Sequence, residues 1–318
     1  ANGLVPEGED AAAHTPEAVV AAVVGQGGQC VKLYYEEALW WPGGAPAFRL
    51  PSVEIAREVV QAAHAENLPV LLHATTPAGH AFALDAGVDI LAHGMWEWTG
   101  QSFTDPQPSA EIADIAGRVA HSQIAVQPTI QTIRNTASLF DARVLEDGGW
   151  ADVVPLAYLE YLRGDAQLQR QHFIGMFGEM IAEGGDGADM GAAQSAFLNR
   201  YEDLIGQMYA EQARFLFGSD TAVGGFGWAS PPGLAGYWEM QNWVDAGLSL
   251  QTLFRGLTIE NAAAFGLADE IGTIEVGKRA DLLILGANPL ADVRAYDRIN
   301  TVILAGQALD RCALSARQ

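Results

Sequence analysis

Short continuous apolar runs alternate with stretches whose apolar residues recur every three or four positions, and the alternation repeats four times before it breaks. Cys30–Tyr35, Leu68–Leu72, Val88–Ala92 and Ile124–Thr129 are the runs, the mark of strands buried on both faces. Between them the spacing predicts helices. One runs over Pro16–Val24, capped by Thr15, with proline at its first position and Gly25, Gly27 and Gly28 at its end. A second opens on Ser52 and places Val53, Ala56, Val59, Val60 and Ala63 on one face up to His64. A third covers Pro77–Ala86 and stops at Gly87, and a fourth covers Ala110–Val119. Strand, helix, strand in strict rotation predicts an α/β fold with a parallel sheet, successive strands joined by right-handed crossovers.

The rhythm stops at Gln131. From there to Arg214 no convincing strand occurs, and helical segments are expected around Val154–Leu162, Gln167–Ile181 and Ala192–Tyr209, interrupted by the glycine-rich Gly184–Gly191. A connection of that length between two strands is an elaborated excursion over one end of the sheet, of the kind that serves as a lid. Asp186 and Asp189 lack the spacing of an EF-hand and read as a turn. Phe215–Asp220 restores the strand pattern and leads into TAVGGFGWASPPG, a loop suited to wrapping a ligand. Helices are expected at Leu250–Arg255 and Thr258–Phe265, then a turn and strand over Ile271–Leu285 and a strand at Asn300–Leu304. Gly272–Lys278 fits G-x-x-x-x-G-K, but Arg279 stands where Ser or Thr is needed and a strand follows, so a phosphate loop is rejected.

Chemistry collects at the strand ends. His73 and His93 close adjacent parallel strands, in a chain with seven histidines, and neutral imidazoles leaving one edge of a sheet can share a metal ion. Lys32 is one of two lysines. Inside a buried strand it must be paired, neutral or chemically changed, and Glu36 and Glu37 are the nearest partners for an ion pair. Asp220 is the fourth strand-end residue able to bind a metal or move a proton, although an aspartate there also serves as an ordinary turn residue. His64 reads as a surface residue.

The chain has 318 residues, of which 49% are hydrophobic, enough for one large core with a small appendage. A formal net charge of −22 argues against nucleic acid and anionic membranes as partners. No run of apolar residues is long enough for a membrane span, and the polar start is not a signal peptide, so a soluble protein is expected, cytoplasmic or exported. Cys30 and Cys312 give neither a disulfide framework nor a CxxC site.

VKLYY, LLHATT, DILAHG, VQPT, FGSDT and the ending AGLSLQTLFRGLTIENAAAFGLADEIGTIEVGKRADLLILGANPLADV together resemble the metal-dependent amidohydrolase superfamily, in the branch grouped with imidazolonepropionase and prolidase-like carboxypeptidases. The resemblance runs from about Thr15 to Val302. It implies a (β/α)8 TIM-type barrel with a small β-sandwich. It further implies two divalent metals, expected as Zn2+, bridged by Lys32 in an N6-carboxylated form. His73 and His93 would bind the second metal, and Asp220 the first while serving as general base. The implied reaction is hydrolysis of a C–N bond in an amide, cyclic amide or short peptide by metal-activated water.

The chain departs from the family in having no His-x-His anywhere, and only five barrel strands can be counted. The expectation is therefore a barrel that is N-terminally incomplete over 1–268, with a lid at about 131–213 and a C-terminal β-sandwich segment over 269–318. The competing expectation is a noncatalytic small-molecule-binding relative. An unrelated α/β isomerase or decarboxylase is disfavoured, because the loop after Asp220 offers no basic residue for a phosphate. Tyr34, Tyr35, Trp96, Trp98, Gln127, Thr129 and Trp228 are candidates to line a pocket for a small-molecule substrate. Arg134 is a candidate to grip a substrate carboxylate, with a surface arginine as the alternative, and a homo-oligomer is left open.

Overall fold

The computed structural model describes residues 8, 10–37, 50–102, 104–140, 153–182, 190–221 and 230–316. Five parallel strands form one sheet: β1 Val31–Tyr34, β2 Val70–His73, β3 Ile90–Ala92, β4 Ala125–Gln127 and β5 Arg214–Phe215, ordered in space as in sequence. The first four stand where strands were expected, each shorter than its apolar run, whereas β5 shares only Phe215 with the expected Phe215–Asp220. α1 Pro16–Gly25 leads into β1, and the sheet's first three connections carry α2 Val53–Ala65, α3 Pro77–Ala86 and α4 Ala110–Ala120. Thr15, Ser52 and Ser109 each cap a helix by accepting from a backbone N–H three residues on. Gly87 closes α3 in the left-handed region, at φ 74° and ψ 37°. Because a Cβ is disfavoured there, Gly87→Ala is expected to lower stability by about 1 kcal/mol in urea unfolding; an unchanged midpoint would refute that cap.

The register sorts the strand residues into two faces. Val31, Leu33, Val70, Leu72, Leu91, Val126 and Phe215 lie in matched rows and meet the helices in the main core, with Ala56, Val60, Phe82, Ile112, Val119 and Met208 among those they join. The opposite face carries a smaller cluster of Leu71, Ile90, Ala92, Ala125 and Leu216, covered by Cys30, Ala264 and Phe265. At its carboxyl end one row runs Tyr34, His73, Ala92, Gln127 across four adjacent strands, with Lys32 beside Leu71 one row below.

The excursion after β4 is helical, as expected, with different divisions. An unforeseen helix, α5 Ile130–Ser138, follows β4 at once. The two segments expected at Val154–Leu162 and Gln167–Ile181 are one continuous helix, α6 Leu156–Ala182, because Gly164 sits exposed on it without breaking it. Then come α7 Met190–Ala210 and, after β5, a second unforeseen helix, α8 Leu234–Asp245. Helices α9 Leu250–Gly256 and α10 Ile259–Ala264 were expected. Asp186, Asp189 and Trp228 lie outside the described residues. Three antiparallel strands close the chain: β6 Leu282–Leu285, β7 Ile299–Leu304 and β8 Gln307–Leu309. The hydroxyl of Tyr237 on α8 donates to Asp297 just before β7, at 2.5 Å. Among the described residues no helix is long and apolar enough to cross a membrane.

Candidate active site

Three of the four strand-end residues meet. The rings of His73 and His93 lie 4.9 Å apart, edge to face, and His93 Nε2 faces Asp220 Oδ2 at 3.9 Å. His93 is 4% exposed, and burial, then the charges of His73 and Lys32, hold its pKa well below the ordinary imidazole value. It is therefore a neutral ring, the form that ligates metals. Its Nδ1 lies 2.8 Å from Thr129 Oγ1. In the tautomer that frees Nε2, Nδ1–H donates to that hydroxyl, the arrangement typical of a metal-bound histidine.

Asp220 does not end a strand. The chain leaves the sheet after Phe215, and Asp220 sits five positions further on with a φ of 44° and a side chain 44% exposed. Thr129, at φ 49°, is also left-handed, a rare state for a β-branched residue. Two non-glycine residues held in this conformation on either side of His93 mark the rim as a place where packing overrides local backbone preference.

Lys32 corrects an expectation. It is exposed, because β1 is an edge strand and the sheet face it occupies has only a small cover. It still lies on the face of His73, and its charge reaches His93. Glu36, considered as its ion partner, turns instead into the protein. It is buried, its Oε2 accepts from Thr75 Oγ1 at 2.7 Å and lies 3.2 Å from His73 Nε2, and its buried Oε1 has no hydrogen-bond partner among the described residues.

The expected pocket residues divide. Tyr34 is 51% exposed and stacks on His73 at 4.1 Å, so it belongs to the rim. Gln127 is half-buried, and its amide donates to Phe217 O at 3.4 Å. Thr129 is buried and engaged by His93, so it supports the site rather than lining a pocket. Trp96 is likewise buried, packed on His93 at 5.0 Å and on Tyr201 at 5.7 Å. Trp98 is buried under the Arg200 guanidinium, and Tyr35 packs on Phe82. Arg134 is not poised for a ligand carboxylate, since Glu202 at 2.6 Å and Asp245 at 3.4 Å hold its guanidinium. Those two acids also line a cavity of about 610 Å³, to which none of the strand-end residues contributes. His64 is the surface residue expected, paired with Asp89 at 2.8 Å.

Residues without a sequence signal brace the rim. Arg200 and Tyr201, neighbours on α7, clamp the segment after β3: Arg200 donates to Ser102 O at 2.7 Å and Trp96 O at 3.3 Å, and Tyr201 Oη donates to Pro128 O at 2.5 Å. Glu97 lies in the same segment, and burial, opposed by Arg200 and helped by Glu36, raises its carboxyl to about 7. Their sequence partners are distant, so no local spacing could have exposed them.

Two imidazoles and a carboxylate at the rim, with the Lys32 amine on the same sheet face one row below, are donors whose chemistry fits a divalent cation, and the 3.9 Å gap between His93 Nε2 and Asp220 Oδ2 is close to the separation of two ligands on a common ion. Among the described residues no three His, Cys, Asp or Glu side chains are arranged to hold a metal ion by themselves. The fit therefore depends on the lysine.

The Amidohydrolase family model matches residues 1–309, and the chain belongs to that family. A 5-methylthioadenosine/S-adenosylhomocysteine deaminase of Thermodesulfovibrio yellowstonii (strain ATCC 51303 / DSM 11347 / YP87) is 38% identical over 63 residues, 20% of this chain and 14% of that protein. Among solved structures, a putative prolidase from Bifidobacterium longum superposes with a TM-score of 0.60 at 24% identity, over 96% of this chain and 63% of its own. A Xaa-Pro dipeptidase with methionine bound in the active site superposes with a TM-score of 0.58 at 19% identity, over 93% and 59%. The two structures show the shared fold, and this chain spans about three-fifths of their length.

Proposed function

We propose that the chain carries the metal-binding rim of a hydrolase that cleaves C–N bonds in amides, cyclic amides or short peptides. The observation that carries this reading is the approach of His93 Nε2 to Asp220 Oδ2 while Thr129 holds the other ring nitrogen. We read the five-stranded sheet as part of an eight-stranded barrel over residues 1–268, the helical excursion at about 131–213 as its lid, and residues 269–318 as a sandwich segment. The substrate is a small molecule.

His73, His93, Asp220 and an N6-carboxylated Lys32 would hold the cation, which we assign as Zn2+. When bound, such an ion polarises a carbonyl and makes water more acidic. The exposure of Lys32 leaves its amine open to carbon dioxide, and the resulting carbamate exchanges a cation for an anionic oxygen donor. Asp220, on the open side of the rim, would accept a proton from the attacking water and return it to the departing nitrogen. Burial of His93 keeps its ring neutral throughout, and Thr129 keeps its orientation fixed. Tyr34 and Gln127 border the space where substrate would sit.

Among the described residues no three conventional ligands converge, which favours a second reading, a relative that binds small molecules without metal chemistry. Elemental analysis after purification with and without bicarbonate separates the two. Zinc retained by the wild type, increased by bicarbonate and lost in Lys32→Ala, is the expected result. No bound metal under either condition would remove the hydrolase reading, and release of amine from an Xaa-Pro dipeptide is the accompanying activity assay.

A further inference from the structure

Glu239 has no role in the chemistry above, yet it is one of the most enclosed charged groups in the protein. It projects from α8, is 0% exposed, and is surrounded by donors. Its Oε1 accepts from the backbone N–H of Ile130 at 3.1 Å and from the Trp243 indole at 2.9 Å, and its Oε2 accepts from the backbone N–H of Gln131 at 2.7 Å. Asn242 adds a side-chain hydrogen bond and also donates to Gln131 Oε1 at 3.0 Å. The two backbone groups are the first of α5, whose N-terminal amides ordinarily need a local cap.

The local residue does not supply that cap. Thr129 precedes α5 with φ 49° and ψ 47°, and its side chain makes no capping bond. An ordinary capping threonine has extended backbone and turns its oxygen onto the helix amides. Here a carboxylate more than a hundred positions away in sequence takes that duty, and the Thr129 hydroxyl lies on His93 Nδ1 instead. Tyr201 fixes the preceding carbonyl, Pro128 O, from the other side.

We infer that Glu239 is a positioning residue: by capping α5 in place of Thr129, it holds Thr129 in the left-handed conformation that sets His93 with Nε2 free toward Asp220. The inference rests on the reading of His93 as a metal ligand only for its consequence in affinity. The geometric part concerns the metal-free protein.

Two measurements on the full chain test it. In the metal-free protein, ¹⁵N imidazole NMR should report the Nδ1–H tautomer at His93. Glu239→Gln replaces one acceptor oxygen by an amide facing donors, and should mix the tautomers. Thr129→Val, which removes the hydroxyl and keeps the cap, should do the same. Trp243→Phe removes a donor to Glu239 without touching α5 and should leave the tautomer as in the wild type, even if it costs more stability. Titration with Co2+ alone should show about tenfold or greater weakening in Glu239→Gln and Thr129→Val, with Trp243→Phe close to the wild type. If Glu239→Gln does not fold, Glu239→Asp, which retracts the carboxylate but keeps its charge, takes its place. A wild-type tautomer ratio in a folded Glu239 variant overturns the proposal, as does a Trp243→Phe effect of equal size. A wild type that binds no Co2+ sinks the metal reading, and the tautomer measurement then decides Glu239 by itself.

Discussion

Gly94→Ala is expected to lower the free energy of unfolding by about 3 kcal/mol, through overpacking and the loss of a buried hydrogen bond. Gly94 follows His93 directly, and a Cβ placed there would stand 2.8 Å from Tyr201 Cζ and 2.9 Å from Cε2, closer still to the hydroxyl. Tyr201 cannot give way. It is fully buried, wedged edge-on against Trp96, and tied through its hydroxyl to Pro128 O. Gly164 is the matched control, exposed on α6 with open space for 4 Å around the point where an added methyl would stand. Gly164→Ala should be neutral or mildly stabilising, since alanine favours a helix interior by up to about 1 kcal/mol. Urea unfolding of both variants checks this, and a Gly94→Ala midpoint equal to the wild type would show that Tyr201 does not sit against the His93–Gly94 peptide.

That contact also explains what the long helical excursion does in the fold. Arg200 and Tyr201 reach from α7 to both segments that flank the rim, the one after β3 and the one after β4. The guanidinium lies over Trp98 at 4.3 Å and over Phe197 at 4.8 Å, and burial lowers its pKa to about 10 against the opposing pull of Glu97 and Asp105. Helix α7 is thus part of the support around His93.

Much of this architecture is legible in the sequence because its signals are local. Apolar runs give strands, and Thr15, Ser52 and Gly87 announce helix ends through bonds within a few residues. His73 and His93 can be paired from sequence because the crossover between them is short and regular. Helix α5 escapes such a reading for the opposite reason: its cap is Glu239, contributed from another helix, and Thr129 before it lacks the capping bond that the pattern requires. The exposure of Lys32 is invisible in the sequence because burial of a strand residue depends on what stands beyond the strand, and β1 is an edge. Glu36 is visible as a carboxylate near Lys32, but its commitment to Thr75 and His73 depends on a loop turning inward after β1.

His80 carries the second large prediction, an acid-dependent loss of stability of about 3 kcal/mol between pH 7.5 and 4. It lies on α3, wholly buried, with no hydrogen-bond partner for either ring nitrogen among the described residues, although Ala74 is near enough to favour the charged ring. Burial lowers its pKa from 6.5 to about 4. The unfolded chain therefore takes up a proton near pH 6.5 that the folded protein refuses until about pH 4. Stability from this group is complete above pH 6.5 and is lost as pH falls through that window. Glu97 and Glu239 act in the opposite sense. Burial raises both to about 7, so their contribution is complete below pH 4.5 and fades as pH rises through 7, and the wild-type profile mixes the two trends. The difference between wild type and His80→Leu isolates the histidine. Leucine removes the titration, so the variant should gain about 3 kcal/mol relative to the wild type on going from pH 7.5 to pH 4, whatever its stability at pH 7.5. Urea unfolding at four or five pH values measures that gap, and two parallel curves would mean that His80 reaches solvent or a partner able to share its charge.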